Sequence, residues 1–525
     1  MGIRHGQQEI ISTPESKGMR SLHTTRGKLI NASKLAARRG VGQKAKLSVP
    51  AGRAQSEVEY GRQKLQAHSS PEAARALQLL QVDTSKVGSL APHSMLRMQS
   101  NFPGPDDTEI TRSDCQIAAG PDHLIVTVNA VWAIFDKSGR QLLRRNFTDM
   151  FTELIEDSVI FGPRIVYDQF RNGWVMAALA RSNDKHQSWF LLAWSTGPDP
   201  LSDWYIWALD AGADGAIDSG YWADGLGLSV DNTSICLTAN MFNGADQFQY
   251  SKLRVLNKKD LKSGGVLHGW DFWQLRNSDG TFAFGIQPAF NMSQSMSQFL
   301  LNVTPDGMGL TQWVVSQHSR LAPTLTRRFI STVPFQMPPD SRQPETQRQL
   351  DTGDTRLGSV IFHHGFLWTA HAIAANWGDD GNVAAIQWFQ INPRAGRIAQ
   401  QGIYGAPHFN YFCPSLMVDG AGNMVILFTR ASELEFPEIR YTGRLATDEL
   451  NTLQESALLQ HSLTAGSRDW STCSGTANAP GERSIWMVGQ YAGTTNDWAT
   501  WLGAVSYDEK GVDAGDNGLP QSAFA

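Results

Sequence analysis

Three of the four cysteines in this 525-residue chain stand at comparable places in a repeated pattern. Cys115 precedes "QIAAG", Cys413 precedes "PSLMVDG" and Cys473 precedes "SGTANAP". Each stretch reads as a strand that runs into a turn. A shared register would bring the three thiols onto one surface. Thiolates are soft ligands suited to Zn²⁺ or Cu(I), with His408, Asp114 or water as a fourth donor. Alternatively, one thiolate is a nucleophile and its neighbours tune its pKa. The plainer role is that of a small apolar filler. Cys236, in "SICLTAN", reads as a core residue of a second strand.

Other polar residues fall near the same strand starts. Asp114 and Asp224 could act as acid and base in glycan cleavage, or hold Ca²⁺ together with backbone carbonyls. Aspartates in such places also simply accept backbone N–H bonds and fix turns. Arg164, Trp222, Gln287 and Tyr411 occupy neighbouring registers and are candidates for ligand binding. His363 and His364 alternate across a strand, so they face opposite ways and make a poor ligand pair. His371, in "LWTAHAI", reads as a hydrogen-bonded core residue. Trp194, Trp368, Trp388 and Trp486 lie in apolar strands and are expected to fill gaps between sheets. No Walker loop, Rossmann glycine pattern, HExxH or GxSxG occurs.

The elements that position these residues repeat. "DCQIAAGPDHLIVTVNAVWAIFDKSG", "GPRIVYDQFRNGWVMAALARS", "ADGLGLSVDNTSICLTANMF", "RLGSVIFHHGFLWTAHAI", "NYFCPSLMVDGAGNMVILFTRAS" and "CSGTANAPGERSIWMVGQYA" share one plan of strand, turn and strand. "QPAFN" followed by "QFLLNVTPDG" is a degenerate copy. The anchors Cys115, Pro163, Asp224, Gln287, Leu357, Cys413 and Cys473 recur at roughly sixty residues, one four-stranded blade each. A single blade cannot cover both its faces, whereas a closed ring of blades can. The expectation is an all-β protein, a seven-bladed β-propeller over residues 93–510, with six blades as the alternative because the fourth copy is weak. The first strand of each blade would line a central channel. Closure is expected from "HSMLRMQSNF" (93–102) lying beside "TWLGAVSY" (500–507), with 511–525 as a tail.

The first 92 residues differ. Between Ser16 and Ser56 there are ten basic residues and no acidic one. Such a segment reads as a mostly disordered basic arm able to touch an anionic partner, with one short helix near 69–82. The whole chain carries a net charge of −5 and is 41% hydrophobic, enough for a large core. No run of eighteen apolar residues suggests a transmembrane helix. The N-terminus lacks an apolar signal region, so a cytoplasmic location with reduced thiols, or export by a non-standard route, is expected.

The repeats quoted above, together with "WMVGQYAGTTNDWATWLGAV", resemble bacterial, mostly exported propeller proteins of sialidase-like architecture. The resemblance spans roughly residues 110–507 and implies the fold; most members of that family have no assigned activity. In that family the third and last blades usually open on a tyrosine-containing step. Here they read "ADGLG" and "STCSG". The arginine triad, tyrosine and glutamate of true sialidases would have to come from Arg164, Arg430, Arg440, Arg444, Tyr441 and Glu438, which do not fall at matching motif positions. The functional expectation is a ligand or partner site at the channel mouth, with or without a cysteine-lined metal or thiolate centre. The alternatives are a channel-site hydrolase or lyase acting on a glycan or other small substrate, and a protein-interaction platform.

Overall fold

Each repeat folds as an antiparallel meander, and seven of them close a ring in this computed structural model. The structure describes residues 9–11, 20–21, 26–35, 58–63, 96–106, 112–129, 131–316, 323–378, 381–467, 470, 474–493 and 498–507. The inner strands of blades one to seven are Gln116–Ala119, Ser158–Asp168, Trp222–Val230, Gln287–Pro288, Ser359–His363, Asn410–Val418 and Ser474–Asn478. Blades are packed on both faces by their neighbours, so their middle strands are apolar throughout rather than alternating. Gly173–Ser182 in blade two is buried along all but its last residue, whereas the outer strand Gln141–Asn146 of blade one has a single buried residue. The expected tryptophans fill these seams: Trp194, Trp368, Trp388 and Trp486 are all buried in apolar clusters.

Two irregularities explain what the sequence pattern obscured. The fourth repeat is weak because its inner strand is divided between two blades. Gln287–Pro288 pairs antiparallel with Leu300 and Leu301 of its own blade, and Phe290–Asn291 then crosses to pair parallel with Ile361 and Phe362 of blade five. The second irregularity sets the register of the channel wall. Five inner strands are entered through a residue with left-handed backbone: Asp114, Gly162, Gly225, Gly285 and Cys413, at φ 40°, 60°, 70°, 63° and 56°. In blades two, three and six this residue sits in a bulge, where the pairing slips. Glycine adopts this conformation without strain, whereas Asp114 and Cys413 hold it at a cost.

Ring closure follows the expected pairing. Leu96–Asp106 is the outer strand of blade seven and pairs antiparallel with Trp498–Tyr507, Phe102 opposite Leu502 and Leu96 opposite Tyr507. Phe102 then packs on Trp486 of blade seven and Phe135 of blade one, with ring centroids at 6.2 and 5.9 Å.

The described parts of the N-terminal arm are not a free tail. Residues Glu9–Ile11, Arg20–Ser21 and Lys28–Asn31 add a fifth strand to the outer edges of blades four, three and two. Open strand edges are templates for pairing, and the arm satisfies three of them. Lys28 pairs with Glu153, and Asn31 donates to Asp203 Oδ1 at 2.7 Å. Gly27 is required there by close approach, since a Cβ would lie 2.5 Å from the Trp207 ring. Residues 58–63 are helical, and Tyr60 among them is 1% exposed. The expected helix at 69–82 and the tail at 511–525 lie outside the described residues.

Candidate functional site

Inner strands of all seven blades line a narrow channel with a cavity of about 90 Å³. At the end where the strands begin, Gln116, Arg164 and Gln287 form part of its wall. Each stands two residues after a left-handed residue, which for Arg164 lies in a bulge. The Arg164 guanidinium donates to Asp114 Oδ1 at 3.1 Å and to the Pro163 carbonyl at 2.7 Å. The Arg164 and Asp114 side chains are 21% and 13% exposed, enough for a ligand to reach and too little for full hydration. The amides of Gln116 and Gln287 are partly exposed and are not engaged by other described residues. Thus two fixed charges and two open amides converge on one mouth, a set suited to hydroxyl and carbonyl groups.

A second polar group lies at the same end, between blades two and three. Trp222 is buried, donates Nε1–H to the Asn243 carbonyl at 3.1 Å, and carries Arg181 above its ring at 5.0 Å. Burial lowers the proton affinity of Arg181, and Asp246 and Asp224 oppose that shift. Asp224 also accepts the Gly225 N–H at 2.8 Å, the turn-holding role anticipated for such aspartates. Asp114 and Asp224 therefore have different immediate partners, an arginine for one and a backbone turn for the other.

The cysteine centre is corrected. Cys413 is disulfide-bonded, so it offers neither a thiolate nor a metal ligand. It occupies the left-handed position of its strand, equivalent to Gly162 and Asp114, whereas Cys115 stands one residue further on. A one-residue offset reverses the side-chain direction along a strand. Cys115 is fully buried in the seam of blades seven and one, where burial pushes its thiol up to about 12. Cys236 is a buried free thiol in the core, as expected. Cys473 lies outside the described residues. His408 sits in an exposed turn with φ 68°. Among the described residues no three His, Cys, Asp or Glu side chains gather as a metal site.

Tyr411 is buried beside Tyr404 and Phe428, at 5.7 and 5.4 Å between centroids, and burial pushes its phenol up. It packs in the hydrophobic core around blade six. The arginines considered for a triad are tied to carboxylate and carbonyl groups, and Arg430 and Arg440 both reach Glu438. Arg430 makes a bidentate pair with Glu435 at 2.7 and 2.6 Å, Arg440 donates to Glu438 at 2.7 Å, and Arg444 donates to the Asp448 carbonyl at 2.8 Å.

Gln116 and Arg181 were missed by the sequence reading. Gln116 and Gln287 become equivalent once the repeats are aligned on the left-handed residue rather than on the cysteines. Nothing in the pattern distinguishes Arg181.

The opposite mouth opens into a wider cavity of about 500 Å³, bordered by Gln169, Met292, His363, Asn478 and Tyr507. His363 is 7% exposed, and its Nδ1 lies 3.0 Å from Ser293 Oγ. Burial, reinforced by His364, lowers its pKa from 6.5 to about 4. The unfolded chain therefore takes up this proton first on acidification. The stabilisation is complete above pH 6.5 and is lost as pH falls towards about 4. Replacing His363 with Gln should flatten the stability curve across that window. Parallel curves for the two proteins in chemical denaturation would contradict the assignment.

No protein-family model matches the chain, and no curated protein matches it in sequence. Solved structures match it in fold. The GH93 alpha-L-arabinofuranosidase of Fusarium graminearum is 9% identical, with 79% of this chain and 98% of that chain covered and a TM-score of 0.39. The alpha-L-arabinanase of Penicillium chrysogenum is 8% identical, with 78% and 99% covered and a TM-score of 0.41. The Hadza microbial sialidase Hz136 is 12% identical, with 73% of each chain covered and a TM-score of 0.36. These likenesses assign no activity.

Proposed function

We propose that the protein binds a small, hydroxyl-rich ligand of the carbohydrate type at the channel mouth where the inner strands begin. The observation that carries this reading is the convergence of the Arg164–Asp114 pair with the uncommitted amides of Gln116 and Gln287 on one cavity wall. Hydroxyl groups both donate and accept, and this set offers both: a carboxylate and amide oxygens accept, while guanidinium and amide N–H groups donate. Sugar-binding sites need many such groups because each hydrogen bond replaces one to water and adds little net energy.

Binding is favoured over hydrolysis because glycoside cleavage uses two carboxyl groups flanking one bond. Asp114 is committed to Arg164, and Asp224 to the Gly225 turn and the neighbourhood of Arg181. A panel of short oligosaccharides, arabinobiose among them, should contain a ligand detectable by saturation-transfer NMR. Arg164→Ala should weaken its binding by about tenfold to a hundredfold, the loss expected for a charge-assisted hydrogen bond of about 1.5–3 kcal/mol. Unchanged affinity in Arg164→Ala and Gln287→Ala would place the ligand elsewhere and overturn the proposal.

A further inference from the structure

We infer that Arg181 anchors an oxyanion-binding site at the seam of blades two and three, built for a singly charged group such as a carboxylate or a sulfate ester. The site stands apart from Arg164 and does not require a carbohydrate at the channel mouth. Arg181 is 8% exposed, yet its guanidinium has no carboxylate, carbonyl or hydroxyl within hydrogen-bonding distance among the described residues. What it does have is the Trp222 ring, whose centroid lies 5.0 Å from the guanidinium carbon. A guanidinium stays charged at any pH a protein meets, and a buried charge without a partner is costly. Other buried arginines show the usual solution. Arg254 holds Asp271 at 2.7 and 2.8 Å, and Arg444 donates to the Asp448 carbonyl at 2.8 Å. For Arg181 the missing acceptor is one that a ligand brings.

The fold delivers Arg181 to this place. The strand Gly173–Ser182 sends alternate side chains to opposite faces, and Val175, Ala177 and Leu179 pack in the apolar seam with blade three. Arg181 is the next residue on that face. Its strand partner Ser188 donates to the Ala180 carbonyl and accepts the Ala223 N–H, both at 3.1 Å, which fixes the strand bearing Trp222 against blade two. Two hairpin turns flank the group, 182–187 from blade two and 243–247 from blade three, and Lys185 bridges them by pairing with Asp246.

A ligand can reach the guanidinium. The side chains of Lys185 and Asp246 beside it are 26% and 29% exposed, and the Arg181 nitrogens are not sealed from solvent as Arg112 Nε and Arg328 Nε are. The nearby carboxylates are occupied. Both oxygens of Asp246 accept from Lys185, at 2.6 and 2.5 Å, and Asp224 accepts the Gly225 N–H at 2.8 Å. Trp222 takes the face of the guanidinium, which leaves the N–H edge for two oxygens of one ligand group. Charge then sets the ligand class. Arg181 and Lys185 bring two positive charges, and Asp224 and Asp246 bring two negative ones close enough to act on Arg181. One added negative charge gains direct contact with Arg181, whereas a second would meet the repulsion of both aspartates.

The test is fluorine NMR on the full chain with three small probes: trifluoroacetate and trifluoromethanesulfonate, each singly charged, and monofluorophosphate, doubly charged at mildly alkaline pH. Line broadening on titration gives the affinity of each. At least one singly charged probe should bind the wild type, the tighter of the two telling a carboxylate from a sulfate-type ligand. Arg181→Gln should weaken that binding by roughly tenfold or more, the loss of a charge-assisted contact. Arg181→Lys keeps the charge without the fork and should fall between the two. Arg164→Ala should leave the probe affinity unchanged. Because an unpaired buried charge is removed, Arg181→Gln should also melt no lower than the wild type, whereas a purely structural role on Trp222 would lower its melting temperature. No binding of either singly charged probe to the wild type, equal affinity in Arg181→Gln, or a loss confined to Arg164→Ala overturns the site. Tighter binding of monofluorophosphate overturns the charge assignment. If Arg181→Gln does not fold, Arg181→Lys decides, and wild-type affinity there overturns the proposal. The absence of a carbohydrate ligand at the mouth would leave these affinities unaffected, so the two proposals fail separately.

Discussion

A chain that begins at residue 107 should lose its cooperative thermal transition. The missing strand, Leu96–Asp106, is the outer strand of blade seven and is supplied from the far end of the sequence. Without it, the backbone groups of Trp498–Tyr507 are left on an open edge, and an open edge invites association between chains. The apolar loss is as serious. Phe102 ties blade seven to blade one through Trp486 and Phe135, so its removal opens the one seam at which the ring is closed by non-consecutive chain. Phe102→Ala alone should lower stability by about 3–5 kcal/mol, the cost of truncating a buried aromatic. Calorimetry of the two proteins gives the check. A sharp, wild-type transition in the truncated chain would mean that the ring closes within the C-terminal repeat. Because a repeat ring is stabilised by neighbour contacts, failure at one seam should propagate to the rest.

The second large effect concerns Cys413. Unfolded protein kept from reductant should titrate with two thiols rather than the four the sequence contains, because Cys115 and Cys236 are free and Cys413 is bonded. Reduction, or Cys413→Ser, should then cost about 2–4 kcal/mol, the usual contribution of a native disulfide that restricts the unfolded chain. The position supports a structural effect. Ser474, the first residue of the inner strand of blade seven, donates its hydroxyl to the Cys413 carbonyl at 2.5 Å, so Cys413 stands at the seam of blades six and seven. Cys115→Ser should behave differently. It places a hydroxyl in a fully buried apolar seam and changes no covalent bond, so its effect should persist under reducing conditions, whereas that of Cys413→Ser should vanish. Four titrating thiols before reduction would remove the disulfide from the account.

The ring was legible because a propeller writes its plan many times. Strand, turn and apolar strand recur at similar spacing, and even the closing strand was identifiable, since the first repeat starts without a partner for the last. Blade four was the weak copy for a physical reason: Phe290–Asn291 serves blade five, so no single inner strand is written there. The site was legible only in part. Asp114, Arg164 and Gln287 were singled out from the sequence, and Arg164 and Asp114 are paired in the structure. The cysteine alignment misled because it equated residues that differ by one position across a bulge, and a strand reverses its faces at every step. Cys413 and Cys115 look equivalent in the text, yet one holds a left-handed turn and the other faces a dry seam. The expectation of reduced thiols also failed at Cys413, since four cysteines in a long chain gave no sign of pairing. The arm was read from charge alone. Its strands are two to four residues long, and what holds Lys28–Asn31 is the open edge of blade two, a partner that no local pattern reveals.

The central claim is that the mouth where the inner strands begin is where ligand binds. The most direct measurement is a crystal of the full chain soaked with whichever oligosaccharide shows saturation transfer, compared with a crystal of Arg164→Ala treated identically. The account predicts sugar density within hydrogen-bonding distance of Arg164, Asp114 and the Gln287 amide in the first crystal, and none in the second. Density confined to the wider cavity beside His363 at the opposite end, or density at the mouth that survives Arg164→Ala unchanged, would contradict it.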